Sequence, residues 1–457
     1  MGKTLGLLAT ALVLSFFVPA TAESAVLKLD TGFGGDGRVT TGFGNQEAAG
    51  GRSLPRQDRI NAIGVQPDGK LIAAGTSECA IDPCSQIALL RYGADGELDT
   101  GFGDEGKRSF VYGETGSFED LVVLPDGGVQ LVGRASQFIG SRDNLLLARF
   151  TGDGLLDDSF AGDGLVNVGI TGERWRLGLL GAALLEDGDM VTSGWITCGR
   201  ICHQWLIGRY QPDGSRSPEF EDGRLIRYRA TGNIDAAKTG ERLATSIAVD
   251  AEGRLIVAGP AGERRTQVIR MFPDGTIDDS FAGRGFINLS VTRKVGKSTL
   301  KLKRQPQGVA VSPDGSIYVA AGQEERDGNV GALFRLNEDG FRDRGFGGRA
   351  GHVTTQNLAV TDLAADRCGR IVVGGTWSRG GGSDFGVARY SARGKLDRSF
   401  GGTTKVRLGR GHDSHATSLQ LFGRRLFIGG QTKTAPGDTD FGTVALNMPR
   451  SAFRCAR

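Results

Sequence analysis

The chain has 457 residues, and 55 Lys and Arg against 52 Asp and Glu leave a net charge of +3, too small to argue for nucleic-acid binding by electrostatics. Glycine contributes 74 residues, about 16% against a usual value near 7%, and no helical period appears after the first two dozen residues. No later run of about 18 apolar residues exists, which excludes a helical membrane span beyond the N-terminus.

The first residues read as a leader. Lys3 gives a positive start, Leu5 to Val18 an apolar stretch, and Ala20-Thr21-Ala22 a small-residue cleavage site. This predicts a signal peptide over 1–22 and a secreted, extracellular or periplasmic protein. No Cys follows the site, so no lipid anchor is expected.

From Leu29 onward one motif recurs: an Asp, a small residue and a Phe, then a Gly-rich turn. Its phenylalanines are Phe33, Phe102, Phe160, Phe220, Phe281, Phe346 and Phe400. A period of roughly 55–65 residues signals a repeat architecture. Each repeat also holds two apolar runs around a tight turn, as in AIGVQPDGKLIAAG. The turn glycines are Gly69, Gly127, Gly188, Gly253, Gly315, Gly369 and Gly423. Proline presets φ in such a turn and glycine accepts φ > 0. A third apolar run follows, ending near Arg91, Arg149, Arg209, Arg270, Arg335 and Arg389. The Phe motif then leads into a fourth. Four short strands per repeat predict the blade of a β-propeller.

The motif order at the two ends predicts how the ring closes. The last repeat has its hairpin (Leu419 to Gly430) and third strand (Phe441 to Asn447) but no Phe motif. The chain after the leader begins with LKLDTGFGGDGRVTT, a Phe motif with no hairpin before it. The two fragments make one blade, and sharing it removes an exposed sheet edge. The expected fold is therefore all-β: a seven-bladed β-propeller of four-stranded antiparallel blades over 27–449, closed by an N-terminal strand, with a tail over 450–457.

The pairing of a PDGKLIVAG-type hairpin with LDxSFGxxG resembles the delta-60 repeat propeller family of secreted and surface bacterial proteins. The resemblance runs from Leu29 to Asn447. It implies a fold and no activity. Two copies depart from it, at Ser217-Pro218 and at Phe341–Phe346, where blades three and five are expected to distort.

Export gives the six cysteines meaning. Cys79 and Cys84 share one loop of the first blade, and Cys198 and Cys202 the same loop of the third. Each pair reads as a local disulfide or as half of a metal site, the disulfide being favoured. Cys368 sits in the hairpin turn of blade six and Cys455 follows the last third strand. Both fall on the same face of a propeller, so a Cys368–Cys455 bridge is expected.

The motif aspartates Asp30, Asp99, Asp157, Asp278 and Asp397 recur with the third-strand arginines. A group repeated in nearly every blade is a blade part, and a carboxylate that accepts turn N–H groups or pairs with Arg fixes the turn. As Ca²⁺ sites these turns fall short of six oxygens. A ligand site should use residues that break the repeat. Aligning the hairpins puts Asn61, Glu119, Asp120, Thr245, Ser246, Asp362 and Thr417 at the inner-strand starts around the channel. Asn61, Glu119 and Asp362 could there ligate a hard divalent cation, or could line a water-filled polar channel. His203, His412 and His415 fall in loops at that end, and two His three apart are a weak metal signal. Trp175, Trp195, Trp205 and Trp377 lie beside the same loops, either as sugar platforms or buried between blades.

One segment is out of pattern. TRKVGKSTLKLKRQP carries Arg293, Lys294, Lys297, Lys301, Lys303 and Arg304 and no acid. It is a solvated face or a contact for an anionic polymer. The expectation is a secreted binding or scaffold module, monomeric, without cofactor, for an extracellular protein or anionic polysaccharide. The alternative is a lactonase- or lyase-type propeller enzyme with a divalent metal in the channel.

Overall fold

The computed structural model describes residues 27–44, 46–48, 52–54, 56–78, 85–113, 115–136, 143–169, 175–198, 203–231, 246–262, 265–295, 298–301, 305–323, 330–355, 357–378, 382–408, 413–435, 437–449 and 455. The leader lies outside them.

The strands form a seven-bladed propeller. Blade 1 runs through Arg59–Val65, Leu71–Glu78, Ser85–Tyr92 and Lys107–Phe110, from the channel outward. Blades 2 to 6 repeat that order, each antiparallel throughout. Blade 7 has Ser414–Phe422, Arg425–Ala435 and Asp438–Asn447. The N-terminal segment completes it: Lys28 pairs with Asn447, Leu29 with Leu446, and Arg38 to Thr41 with Val444 to Phe441. The expected closure is present.

Local chemistry explains the blade. In the first hairpin Gln66 N–H donates to Lys70 O at 2.8 Å and Gly69 N–H to Gln66 O at 2.9 Å, with Gly69 at φ 88°. In the Phe motif an aspartate holds the turn. Asp30 Oδ1 accepts from Gly32 N–H at 3.1 Å, and Phe33 N–H donates to Asp30 O at 2.9 Å. All seven motif phenylalanines are at most 1% exposed. Seven apolar cores result, each shared by two neighbouring blades.

The motif arginine ties each turn down and reaches the next blade. Arg91 pairs with Asp99 at 3.0 Å, Arg270 with Asp278 at 2.7 Å and Arg389 with Asp397 at 2.7 Å. The guanidinium also donates to a carbonyl in the Asp-Gly-type turn of the following blade: Arg149 to Pro212 at 2.9 Å, Arg209 to Pro273 at 3.0 Å, Arg270 to Glu338 at 2.6 Å. Arg91 makes the same bond to Gly152, and Arg335 to Ala392. A backbone bond runs beside it, from the residue after the motif Phe to the same turn. The donors are Gly34, Gly103, Ala161, Glu221, Ala282 and Gly347, at 2.7–3.2 Å. Among the described residues six blades thus clamp the next.

The departures from the repeat fold by substitution of parts. Ser217 replaces the motif Asp, yet it is buried and its N–H still donates to Arg209 O at 3.0 Å. Arg209 turns to the hairpin acids instead, Asp189 at 2.7 Å and Asp187 at 2.5 Å. In blade 5 the motif acid is Asp343, 3.0 Å from Arg335. Both blades keep four strands, and the distortion expected there is confined to short outer strands, Ile226–Tyr228 and Val353–Thr354.

Candidate functional site

The channel is ringed by the inner strands, and among the described residues six of them carry a bulge near the start. Register shifts leave Asn61, Glu119, Leu180, Gln307, Thr361 and Thr417 unpaired. A bulge crowds the second strand, and glycine answers the crowding. At Gly75, Gly133, Gly194, Gly375 and Gly430 a β-carbon would collide with an inner-strand carbonyl oxygen. The bulge re-aims two side chains per strand toward the neighbouring blade.

Those side chains are spent on backbone. Asn61 Nδ2 donates to Phe118 O in blade 2, and Thr417 Oγ1 to Ile60 O in blade 1 at 2.7 Å. Asp120 Oδ1 accepts from Leu121 N–H at 2.9 Å and its Oδ2 from Ala182 N–H of blade 3 at 3.0 Å. Asp362 repeats this with Leu363 at 2.7 Å and with Leu419 of blade 7 at 2.8 Å. Ser246 Oγ accepts from Val309 N–H at 3.1 Å, and Ser418 Oγ from Ile63 N–H at 3.3 Å. Glu119 Oε1 accepts from Ser117 Oγ at 3.0 Å. Asn61, Glu119, Asp120, Ser246, Asp362 and Thr417 lie on inner strands, and Asp120, Asp362 and Ser246 bridge blades there. Thr245 lies outside the described residues.

Burial pushes Asp120 up to about 7, against the backbone N–H groups of Ala182 and Leu121, and the Asp362 charge adds to the rise. Burial likewise raises Asp362 to about 6. Among the described residues no three His, Cys, Asp or Glu stand close enough together to hold a metal ion.

The other candidates scatter. His203 is buried at the start of a third strand, His203–Tyr210, rather than in a solvated loop. His415 Nε2 stands 3.3 Å from Asp413 Oδ1 and 3.3 Å from Ser383 Oγ. His412 lies outside the described residues. Trp195 and Trp205 are core: both are at most 3% exposed, and the Trp205 indole donates to Pro260 O at 3.2 Å. Neither offers a sugar a face. Trp377 is half-buried beneath Lys405 Nζ at 4.4 Å. The side chain of Trp175 lies outside the described residues.

Of the cysteines, Cys368 and Cys455 form the expected disulfide, Cα atoms 5.1 Å apart. The side chains of Cys79, Cys84, Cys198 and Cys202 lie outside the described residues. No helix among those described is long and apolar enough to cross a membrane.

Two features escaped the reading of the sequence. Blade 7 has Ala445 where other third strands have Arg, and Arg425 of the second strand takes over, 2.7 Å from Asp30 and 2.7 Å from Ala94 O. Its signal was the basic pair after Gly423. The other is a cleft of about 540 Å³ at the hairpin turns of blades 4 and 5, lined by Asp250, Glu252, Arg254, Asp314 and Glu338 over Val311 and Ile317. Arg254 spans it, 2.7 Å from Asp250, 2.8 Å from Glu252 and 3.6 Å from Glu338.

The basic segment folds as a β-hairpin inserted between the outer strand of blade 4 and the inner strand of blade 5. Thr292 pairs with Lys301, Arg293 with Leu300, Lys294 with Thr299 and Val295 with Ser298. Lys297 and Lys303 lie outside the described residues.

No curated protein matches the chain. Solved structures resemble it distantly. A polysaccharide lyase, Uly1, is 13% identical over 85% of this chain and 90% of its own, with a TM-score of 0.46. A protein of unknown function from Dyadobacter fermentans is 10% identical over 90% and 100%, at 0.43. The α-L-arabinofuranosidase Arb93A from Fusarium graminearum is 11% identical over 93% and 97%, at 0.36. The segments from hairpin turn to motif phenylalanine in blades 1, 4, 5 and 6, residues 66–102, 251–281, 312–346 and 369–400, match the family described as "Domain of unknown function (DUF5122) beta-propeller", which agrees with a β-propeller built of repeats.

Proposed function

We propose that the protein is an exported binding module and that its ligand is an anionic polymer of the acidic-polysaccharide class. The basic hairpin carries the reading. It interrupts the repeat, it is paired from Thr292 to Lys301, and the stretch from Arg293 to Arg304 holds six cations and no acid. Six cations so close in sequence can act together on one polyanion. The channel supports the same reading from the other side. Both carboxylate oxygens of Asp120 and of Asp362 already accept backbone N–H groups, which fits a structural belt better than a set of ligands. Export is supported by the leader pattern and the Cys368–Cys455 disulfide.

The test is retention on an immobilised acidic polysaccharide across a salt gradient. Binding should weaken steeply as the screening length falls toward about 10 Å near 0.1 M salt. Replacing Lys297, Lys301 and Lys303 together with Gln should remove retention without lowering the melting temperature. Unchanged retention in the triple variant would overturn the proposal.

A further inference from the structure

One end of the ring collects the turns. Ile371 follows the hairpin turn of blade 6 and pairs with Tyr390, which precedes the turn into the Phe motif. Leu396 bridges back to Tyr390, so the motif lies at that end too. In blades 1 to 5 both turns carry an acid. Asp68, Asp126, Asp187, Glu252 and Asp314 precede the hairpin glycines, and Asp95, Asp153, Asp213, Asp274 and Asp339 hold the second turn. There the carboxylate accepts a backbone N–H: Asp95 from Glu97 at 3.1 Å, Asp213 from Ser215 at 2.8 Å, Asp274 from Thr276 at 2.9 Å. Blades 6 and 7 leave the pattern. Arg393 stands where the second-turn aspartate would be. A guanidinium accepts no hydrogen bond, and Ser391 Oγ takes the N–H of Lys395 instead, at 3.2 Å. The hairpin acid gives way to Cys368 in blade 6, after Arg367, and to Phe422 in blade 7, where Arg424 follows the glycine.

The exchange of acid for base leaves a sector of one sign. Arg344, Arg367, Arg393, Lys395, Arg398 and Arg424 are all exposed. The turns of blades 5 and 6 that bear them touch, since Gly347 N–H donates to Arg393 O at 3.0 Å. The acids beside them are committed to other arginines: Asp343 to Arg335 at 3.0 Å, Asp366 to Arg370 and Asp397 to Arg389 at 2.7 Å each. Two large apolar side chains stand in the same sector, Leu396 40% and Phe422 38% exposed. The basic hairpin leaves from the opposite end of the ring, because Leu289, the last residue of the outer strand before it, pairs with Thr266 at the start of a third strand.

We propose that the turns of blades 6 and 7, with the motif turn of blade 5, form a docking surface for a bilayer that contains anionic lipid. The cations meet the headgroups, and Leu396 and Phe422 enter the interface between them. Charge alone would serve a soluble polyanion equally well. Exposed apolar side chains among the cations favour a surface that offers both negative charge and hydrocarbon. The site is independent of the polymer contact proposed above, and the two would face opposite ways along the ring axis.

Vesicle co-sedimentation tests it on the chain from Glu23 onward, without the apolar leader. The protein should pellet with phosphatidylcholine vesicles holding about 30% phosphatidylglycerol and not with pure phosphatidylcholine, and the pelleted fraction should fall as salt rises from about 0.05 M to about 0.5 M. Arg393→Gln/Lys395→Gln/Arg398→Gln should weaken binding about tenfold, and Leu396→Ser/Phe422→Ser about threefold, at unchanged melting temperature. The hairpin variant with Lys297, Lys301 and Lys303 replaced by Gln should pellet like the parent, so that loss of the polymer reading would leave this one standing. Equal pelleting with neutral vesicles, or unchanged pelleting in the sector triple variant, would overturn the proposal. So would a triple variant that loses retention on acidic polysaccharide but not on vesicles, which would give the sector to the polymer.

Discussion

Gly154 of blade 2 lies on the ring of Phe102 of blade 1: a β-carbon there would stand 2.7 Å from Phe102 Cε2. The pair recurs as Gly96 on Phe33, Gly214 on Phe160, Gly275 on Phe220 and Gly340 on Phe281. The glycine answers two demands at once, a φ of 81° and a ring where a side chain would be.

Substitution separates those demands. Gly154→Ala should cost about 2–4 kcal/mol, one part for an Ala at positive φ and one for overpacking against the ring. Gly162 has nearly the same φ, 86°, with nothing within 4 Å of a β-carbon. Gly162→Ala should therefore cost only the backbone part, about 1–2 kcal/mol. Denaturant titration of both variants checks this, and equal losses would remove the ring contact from the account.

Ala161 and Ala282 take the position after the motif Phe at φ 56° and 51°, where Gly34 and Gly103 stand in other blades at 59° and 57°. Ala161→Gly and Ala282→Gly relieve that strain and add unfolded-chain entropy. Each variant should melt no lower than the parent and gain up to about 1 kcal/mol. A clear loss in both would mean that the methyl groups contribute more packing than the backbone loses in strain.

Acidity acts on this protein in two opposite windows. Asp120 and Asp362 are raised to about 7 and about 6, above the unfolded value near 3.9. Between about pH 4 and pH 7 the folded chain holds protons that the unfolded chain has released, so this contribution falls as pH rises through that range. The motif acids work the other way. The hydrogen bond from Lys70 lowers Asp99, and that from Ser159 lowers Asp157. Their stabilisation is full above about pH 4 and is lost on further acidification. Asp120→Asn should flatten the fall in melting temperature between about pH 4 and pH 7, where roughly 1–2 kcal/mol is at stake after allowance for partial exposure. A wild-type slope in the variant would assign that window to other groups.

Truncation tests the closure. Deletion through Ala25 stops before the first described strand and should leave the melting temperature unchanged. Deletion through Thr41 removes the pairs from Lys28 to Thr41, the Asp30–Arg425 contact and Phe33, which is 0% exposed between Tyr92 and Phe427. Burial of one Phe is worth roughly 1.5–3 kcal/mol, and the bared edge of Asp438–Asn447 should aggregate. Light scattering and calorimetry on the two truncations would show it. Equal behaviour would contradict the shared blade.

The ring was legible in the sequence because each blade repeats the same solution. A Gly at a turn and a Phe in a core are demanded by backbone geometry and burial, and both recur at fixed spacing. The inner-strand bulge was half legible: aligned hairpins located Asn61, Asp120 and Asp362, but not that their polar atoms face backbone across a seam. A hydrogen bond that only one or two blades make to a neighbour, as from Asp120 and Asp362, leaves no periodic trace. Arg425 was missed for a related reason. A side chain that reaches one place from a different strand breaks the alignment while keeping the contact. The tryptophans show the limit of loop position as a guide, since Trp205 starts beside a loop and ends in the core.

Every clamp points the same way round, from the motif of one blade to the turn of the next, so the ring has a handed order but no privileged first blade. A short Asp-Gly linker from Asn447 to Leu29 would join the third strand of blade 7 directly to its own motif, and the chain could then be cut between other blades. Such circular permutants would keep seven blades, with the shared blade moved to wherever the new termini lie. The position of the opening would become a choice of the engineer rather than a property of the fold.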